Sequence, residues 1–64
     1  MNKEVRSIIN QINCIFWSRV YDRERKYHIS NYQAIGDELK ATFVGISSKT
    51  LDNVRNYYYY HLFQ

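Results

Sequence analysis

The stretch Gly45-Ile46-Ser47-Ser48-Lys49-Thr50-Leu51-Asp52-Asn53-Val54-Arg55-Asn56-Tyr57-Tyr58-Tyr59-Tyr60-His61-Leu62 decides the fold. Gly45 permits a turn, and Ser47 or Ser48 offers a side-chain oxygen to cap a helix. Leu51, Val54, Tyr58 and Leu62 then recur at steps of three and four, which places them on one helix face. Lys49, Asn53, Asn56 and Tyr60 fall on the opposite face. Those side chains can touch phosphates, base edges or a protein surface, and a core has no use for them. Within the tyrosine run only Tyr58 belongs squarely to the inner face. Tyr57 and Tyr59 flank it, and Tyr60 points away.

Working outward from that helix, the periodicity predicts two more upstream. The first spans about residues 3–16, with Asn2 as N-cap and Glu4 at the positive end of the helix dipole. Val5, Ile8, Ile9, Ile12 and Phe16 share its inner face, Cys14 lies on its outer face, and Trp17 closes the end of the core. Residues 18–26 lack a clean period and are highly charged, which reads as a loop with Asp22 capping the second helix. That second helix spans about 25–42, with Ile29, Tyr32, Ile35, Leu39 and Phe43 inward and Gln33, Asp37, Glu38 and Lys40 outward. Gly36 sits inside it at a cost of about 1 kcal/mol relative to alanine, and close approach of a neighbouring helix would account for it. The third helix spans about 48–63. The expected fold is therefore all-α, one domain over residues 1–64, a three-helix bundle with a helix-turn-helix arrangement.

Composition narrows the class further. Sixty-four residues are near the lower limit for folding without staples, and the single Cys14 allows no internal disulfide. A thiol without a mate fits a reducing, intracellular setting, nuclear in a eukaryote. No apolar run reaches the ~20 residues of a membrane span, and Met1-Asn2-Lys3-Glu4 is too polar and acidic for a signal peptide. A net charge of +3, spread along the chain, permits contact with a polyanion without requiring it. Seven tyrosines exceed what so small a core can bury.

Three motifs carry a family resemblance. Phe16-Trp17 after an amphipathic helix is similar to the Trp that ends the first helix of MADF domains, a Myb/SANT-like group. Tyr32-Gln33-Ala34-Ile35-Gly36-Asp37-Glu38-Leu39 looks like their second-helix pattern. Lys49 to Tyr58 resembles their third helix, with Asn53, Arg55 and Tyr58 matching in type, while Leu51 stands where a Trp is usual and Val54 where a Leu is usual. The resemblance spans nearly the whole chain and implies a three-helix, helix-turn-helix fold of transcriptional regulators that bind DNA or protein partners. Separately, Gly45-Ile46-Ser47 through Thr50-Leu51 resembles the turn and reading-helix start of many prokaryotic helix-turn-helix regulators, with a longer spacing back to Leu39.

The residues favour binding over catalysis. His28 and His61 lack a Cys or carboxylate at motif spacing, so no zinc site is expected. Cys14 has no base at a diagnostic distance in sequence, and Asp37-Glu38 diverge by about 100° around a helix. With no phosphate loop or metal motif, neither an enzyme nor a cofactor is expected. Two binding classes remain. For double-stranded DNA, Asn53 or Asn56 would offer an amide to adenine, Arg55 would lie near the stripe's edge, and Lys49, Arg23, Arg25 and Lys26 would hold phosphates. Arg55 could instead pair with a carboxylate of another helix. For a regulatory protein or a homodimer, Tyr57, Tyr59, Tyr60 and Phe63 would broaden the same surface. The charge of the third helix, Lys49 and Arg55 against Asp52, leans toward protein; overall basicity and the family resemblance lean toward DNA, which is placed slightly ahead.

Overall fold

The computed structural model describes residues 2–62, with side chains through residue 61, and is all-helical. Among the described residues there are four helices and no strand: α1 (Lys3–Gln11), α2 (Cys14–Tyr27), α3 (Asn31–Thr42) and α4 (Ser48–Leu62). The expected three helices are thus corrected to four. The predicted first helix is cut at Ile12-Asn13, and the charged segment 18–26 is helix rather than loop.

Local chemistry explains each boundary. The Val5 N–H donates to Asn2 Oδ1 at 2.8 Å, which caps α1 as expected. Ile12 leaves the helix in an extended conformation, and Asn13 starts a new one. The Asn13 side-chain oxygen accepts from the N–H groups of Ile15 (3.0 Å) and Phe16 (3.2 Å). An Asn side chain that captures the amides ahead of it competes with helix continuation, so the apolar period runs on while the backbone breaks. Helix α2 stops at His28, whose φ of 54° is left-handed, a conformation that histidine adopts more readily than most non-glycine residues. Asp22 lies inside α2, and the cap of α3 is instead Ser30, whose Oγ accepts from the Gln33 N–H at 3.2 Å. Gly45 has φ +89° with open space around its Cα, so backbone conformation alone calls for glycine there. The Thr50 N–H donates to Ser47 Oγ at 3.2 Å, which opens α4.

The helices stack in the order α2–α3–α4–α1, so α3 lies between α2 and α4 while α1 leans on α4. Val5 and Ile8 of α1, Phe16 and Val20 of α2, Ala34, Ile35 and Leu39 of α3, and Leu51, Val54 and Tyr58 of α4 form one core. Ile12 and Trp17 pack against it from the side. Trp17 meets both Phe16 and Tyr58 edge to face, at 5.3 and 5.1 Å between ring centres. The Tyr58 hydroxyl donates to the Ile9 carbonyl at 3.4 Å, which ties α4 to the end of α1. No described helix is long and apolar enough to cross a membrane.

This core predicts two outcomes. Leu39 is fully buried, and Leu39→Ala should cost ~2–5 kcal/mol, enough to unfold so small a domain. An unchanged thermal midpoint would mean that α3 does not bury that face. Burial, with the neighbouring Tyr57, also pushes the Tyr58 phenol above its ordinary value of 10.0. The unfolded chain then ionises this group first, so its contribution is complete below that ordinary value and is lost as pH rises through the folded one. Urea midpoints should fall faster with alkaline pH for wild type than for Tyr58→Phe.

Candidate functional site

Helix α4 presents three of the four residues of the polar stripe that the sequence predicts, and the fourth, Asn56, is half-buried toward α3. Lys49, Asn53 and Tyr60 are exposed, Tyr60 to 60%, while Leu51, Val54 and Tyr58 on the other side are buried. Tyr57 is 36% exposed and meets the His61 ring at a tilt of 39°, with 4.8 Å between ring centres. Phe63 lies outside the described residues.

Two residues on the α3-facing edge of this stripe are held by α3. The Arg55 guanidinium lies 4.2 Å over the Tyr32 ring, and its Nη2 donates to Asp52 Oδ1 at 2.8 Å. The carboxylate partner expected on another helix is therefore a neighbour on the same helix. Arg55 reaches this position because Gly36 has no side chain: a Cβ there would lie 2.7 Å from Arg55 Nη1 and 3.3 Å from its Cδ. The close approach expected at Gly36 is thus real, and its source is one guanidinium. Arg55 Nε is buried without a hydrogen-bond partner among the described residues, and the face of the Tyr32 ring offsets part of that cost. Asn56 is half-buried, and its Oδ1 accepts from the Tyr32 hydroxyl at 2.7 Å. Tyr59 completes the cluster, 5.0 Å from the Tyr32 ring centre.

The basic residues of α2 are also engaged. Glu38, expected to point outward, is only 3% exposed. Its Oε1 accepts from Arg23 Nε at 2.9 Å, and its Oε2 accepts from the Thr42 hydroxyl at 2.6 Å. The bond from Arg23 raises that guanidinium above its ordinary value, against the burial that would lower it. Arg25 pairs with Asp22 at 2.6 Å on the exposed side of α2. Lys26 is exposed, its Nζ 5.3 Å from the centre of the Tyr27 ring. Arg19, Arg23, Lys26, Tyr27 and Glu38 line an open cleft of about 380 Å³ between α2 and α3.

The predicted cations therefore do not converge. Lys49 and Asn53 share the α4 surface, Arg55 and Asn56 belong to the α3–α4 seam, and Arg23, Arg25 and Lys26 lie on α2. Sequence reasoning misses Tyr32 as the organiser of that seam, since its partner Asn56 is 24 residues away with no periodic signal linking them. Among the described residues no cluster of three or more His, Cys, Asp or Glu side chains could hold a metal ion. Comparison with protein-family models, with curated proteins and with solved structures finds no match to this chain.

The Gly36–Arg55 contact predicts a context-dependent mutation. Alanine favours a helix by about 1 kcal/mol over glycine, but here the added Cβ must push the guanidinium off Tyr32. Gly36→Ala should gain less stability in wild type, where the guanidinium must give way, than in an Arg55→Ala background, where the helix preference of about 1 kcal/mol is unopposed. Equal effects in the two backgrounds, measured by urea unfolding, would remove the contact as the reason for the glycine.

Proposed function

We propose that this chain is a small duplex-DNA-binding module of a transcriptional regulator, with α3, the turn at Gly45 and α4 used as a Myb/SANT-like helix-turn-helix. The observation that carries this reading is the α4 surface stripe: Lys49, Asn53 and Tyr60 are exposed on the side away from the core, with the half-buried Asn56 at the edge of the stripe that faces α3. A helix that buries Leu51, Val54 and Tyr58 and leaves the other side open can lie in a major groove. Asn53 has both its amide oxygen and its amide nitrogen open to a base edge, and Lys49 in the first turn is placed for a phosphate. The resemblance of Tyr32–Leu39 and Lys49–Tyr58 to MADF helices points the same way.

Titration with random duplex DNA at two salt concentrations tests the reading, with self-association measured alongside. Lys49→Ala should weaken binding similarly across sequences and reduce the salt slope by about one unit. Asn53→Ala should flatten preference at one base position. Binding that is absent at low salt, or indifferent to both changes, sinks the model.

A second reading rests on a different observation. The Asp52 pair neutralises Arg55, which leaves Lys49 as the main free charge on α4 beside exposed Tyr57 and Tyr60. Aromatic, charge-poor patches suit a protein partner or a second copy of the chain. Under that reading Tyr60→Ala leaves the fold intact and weakens association by ~2 kcal/mol or more, over tenfold in affinity. A wild-type chain that sediments as a monomer at high concentration removes the homodimer.

A further inference from the structure

The capture of Asn56 by Tyr32 has a consequence for which base edge α4 can read. An asparagine recognises adenine by using both halves of its amide, the oxygen accepting from N6–H and the nitrogen donating to N7. Here the oxygen is held toward α3 and away from the open stripe: Tyr32 donates its hydroxyl hydrogen to Asn56 Oδ1 at 2.7 Å. A phenol is a better donor than acceptor, and this selects the oxygen as the half turned toward α3. Tyr32 is itself held on two sides. Its ring lies beneath the Arg55 guanidinium at 4.2 Å and meets Tyr59 at 5.0 Å, so the hydroxyl cannot follow a rotating amide. The Asn56 side chain is half-buried at the edge of the open stripe, with its NH₂ the half left for a ligand. Asn53, one turn earlier, is exposed and its side chain has no hydrogen bond among the described residues.

We infer that Tyr32 is a specificity-determining positioning residue, which turns Asn56 into a donor-only reader of a guanine edge while Asn53 keeps the two-sided amide that suits adenine. This inference rests on the DNA reading of α4. The chemistry is one of matching hydrogens. In the major groove guanine offers two adjacent acceptors, O6 and N7, to which an NH₂ group can donate. Adenine keeps the N7 acceptor but sets an N6–H₂ donor where guanine has O6, so the amide NH₂ finds one acceptor there instead of two and meets a like donor beside it. Tyr32 touches no base in this scheme. It acts through Asn56, and the two asparagines of one stripe acquire different tastes because only one lies against α3.

Selection of bound duplexes from a randomised pool tests this, with wild type, Tyr32→Phe, Asn56→Ala and Asn53→Ala compared. Wild type should favour guanine over adenine by about tenfold at the one position that Asn56→Ala flattens. Tyr32→Phe keeps the ring contacts to Arg55 and Tyr59 and removes only the hydroxyl. It should erase that preference or turn it toward adenine, and leave the Asn53-dependent position unchanged. Loss of the fold alone would weaken all positions together and would not move one of them. If Tyr32→Phe proves unfolded by circular dichroism, Asn56→Asp carries the test. Its tied carboxylate offers only an acceptor, and preference should move from guanine to cytosine, whose N4 donates. A wild-type adenine preference at the Asn56 position, or a preference that a folded Tyr32→Phe leaves unchanged (or that Asn56→Asp leaves unchanged, where Tyr32→Phe does not fold), overturns the inference while DNA binding stands. No binding to any duplex at low salt overturns the DNA reading, and this inference with it.

Discussion

Burial of α3 between α2 and α4 is the constraint on which the other elements depend. A chain of 64 residues with one cysteine has neither bulk nor a disulfide to hold separate helices together. One helix must therefore be buried on more than one side, and α3 provides Ala34, Ile35, Gly36, Glu38 and Leu39 for that purpose. Its two seams are closed differently. Toward α2, a carboxylate sits in the interior and is satisfied by Arg23 and Thr42. Toward α4, the missing side chain of Gly36 admits Arg55. Burying a charge adds little net stability, since desolvation consumes most of the Coulomb gain. Its effect is on register: α2 docks where Arg23, with Arg19 one turn away, reaches the buried Glu38 carboxylate, and a register that moved both away would leave it with Thr42 as its one partner.

That constraint also explains which parts of the fold are legible in the sequence. The last helix is readable in its main lines, since Leu51, Val54 and Tyr58 separate from Lys49, Asn53 and Tyr60 at helical spacing and Gly45 with a following Ser marks its start, while the inward side chain expected at Leu62 lies outside the described residues. The caps at Asn2 and Ser47 are readable for the same local reason. The break at Asn13 is not, because Val5, Ile8, Ile12 and Phe16 keep their period straight through it. With Phe16 assigned to the first helix, α2 retains only Val20 as a fully buried residue, and its charges read as a loop. The error at Glu38 has the same origin. Its partner Arg23 lies 15 residues upstream, within that charged segment. Helical spacing alone groups Glu38 with the outward polar residues, and with no helix at 18–26 there is no second surface for it to face.

The candidate site divides along the same line. What depends on α4 alone is legible: Lys49, Asn53, Tyr57 and Tyr60 are exposed, and Tyr58 is inside. What depends on how α4 meets α3 is not. Arg55 and Asn56 have the residue types of a recognition surface, and helical spacing places them near it. Their availability is set by Tyr32, a residue that spacing assigns to the core and that in fact lies at its edge, with the hydroxyl facing α4.

This division bears on how the surface could discriminate among partners. If Arg55 and Asn56 were free, α4 would carry a second cation and two equivalent amides, a surface suited to gripping any duplex. Held as they are, the guanidinium serves the α3–α4 seam and half of one amide is spent. The attraction left to α4 then rests largely on Lys49, a thin basis for non-specific binding, whose strength grows with the number of phosphates neutralised. The other exposed cations are spread over the remaining helices, Lys3 and Arg6 on α1, Arg19, Arg25 and Lys26 on α2, and Lys40 on α3. A surface with little general attraction and fixed hydrogen-bond polarity has to rely on matching donors and acceptors. Under the DNA reading, the same seam that keeps a small chain folded would thereby remove breadth from the α4 surface and leave it selectivity.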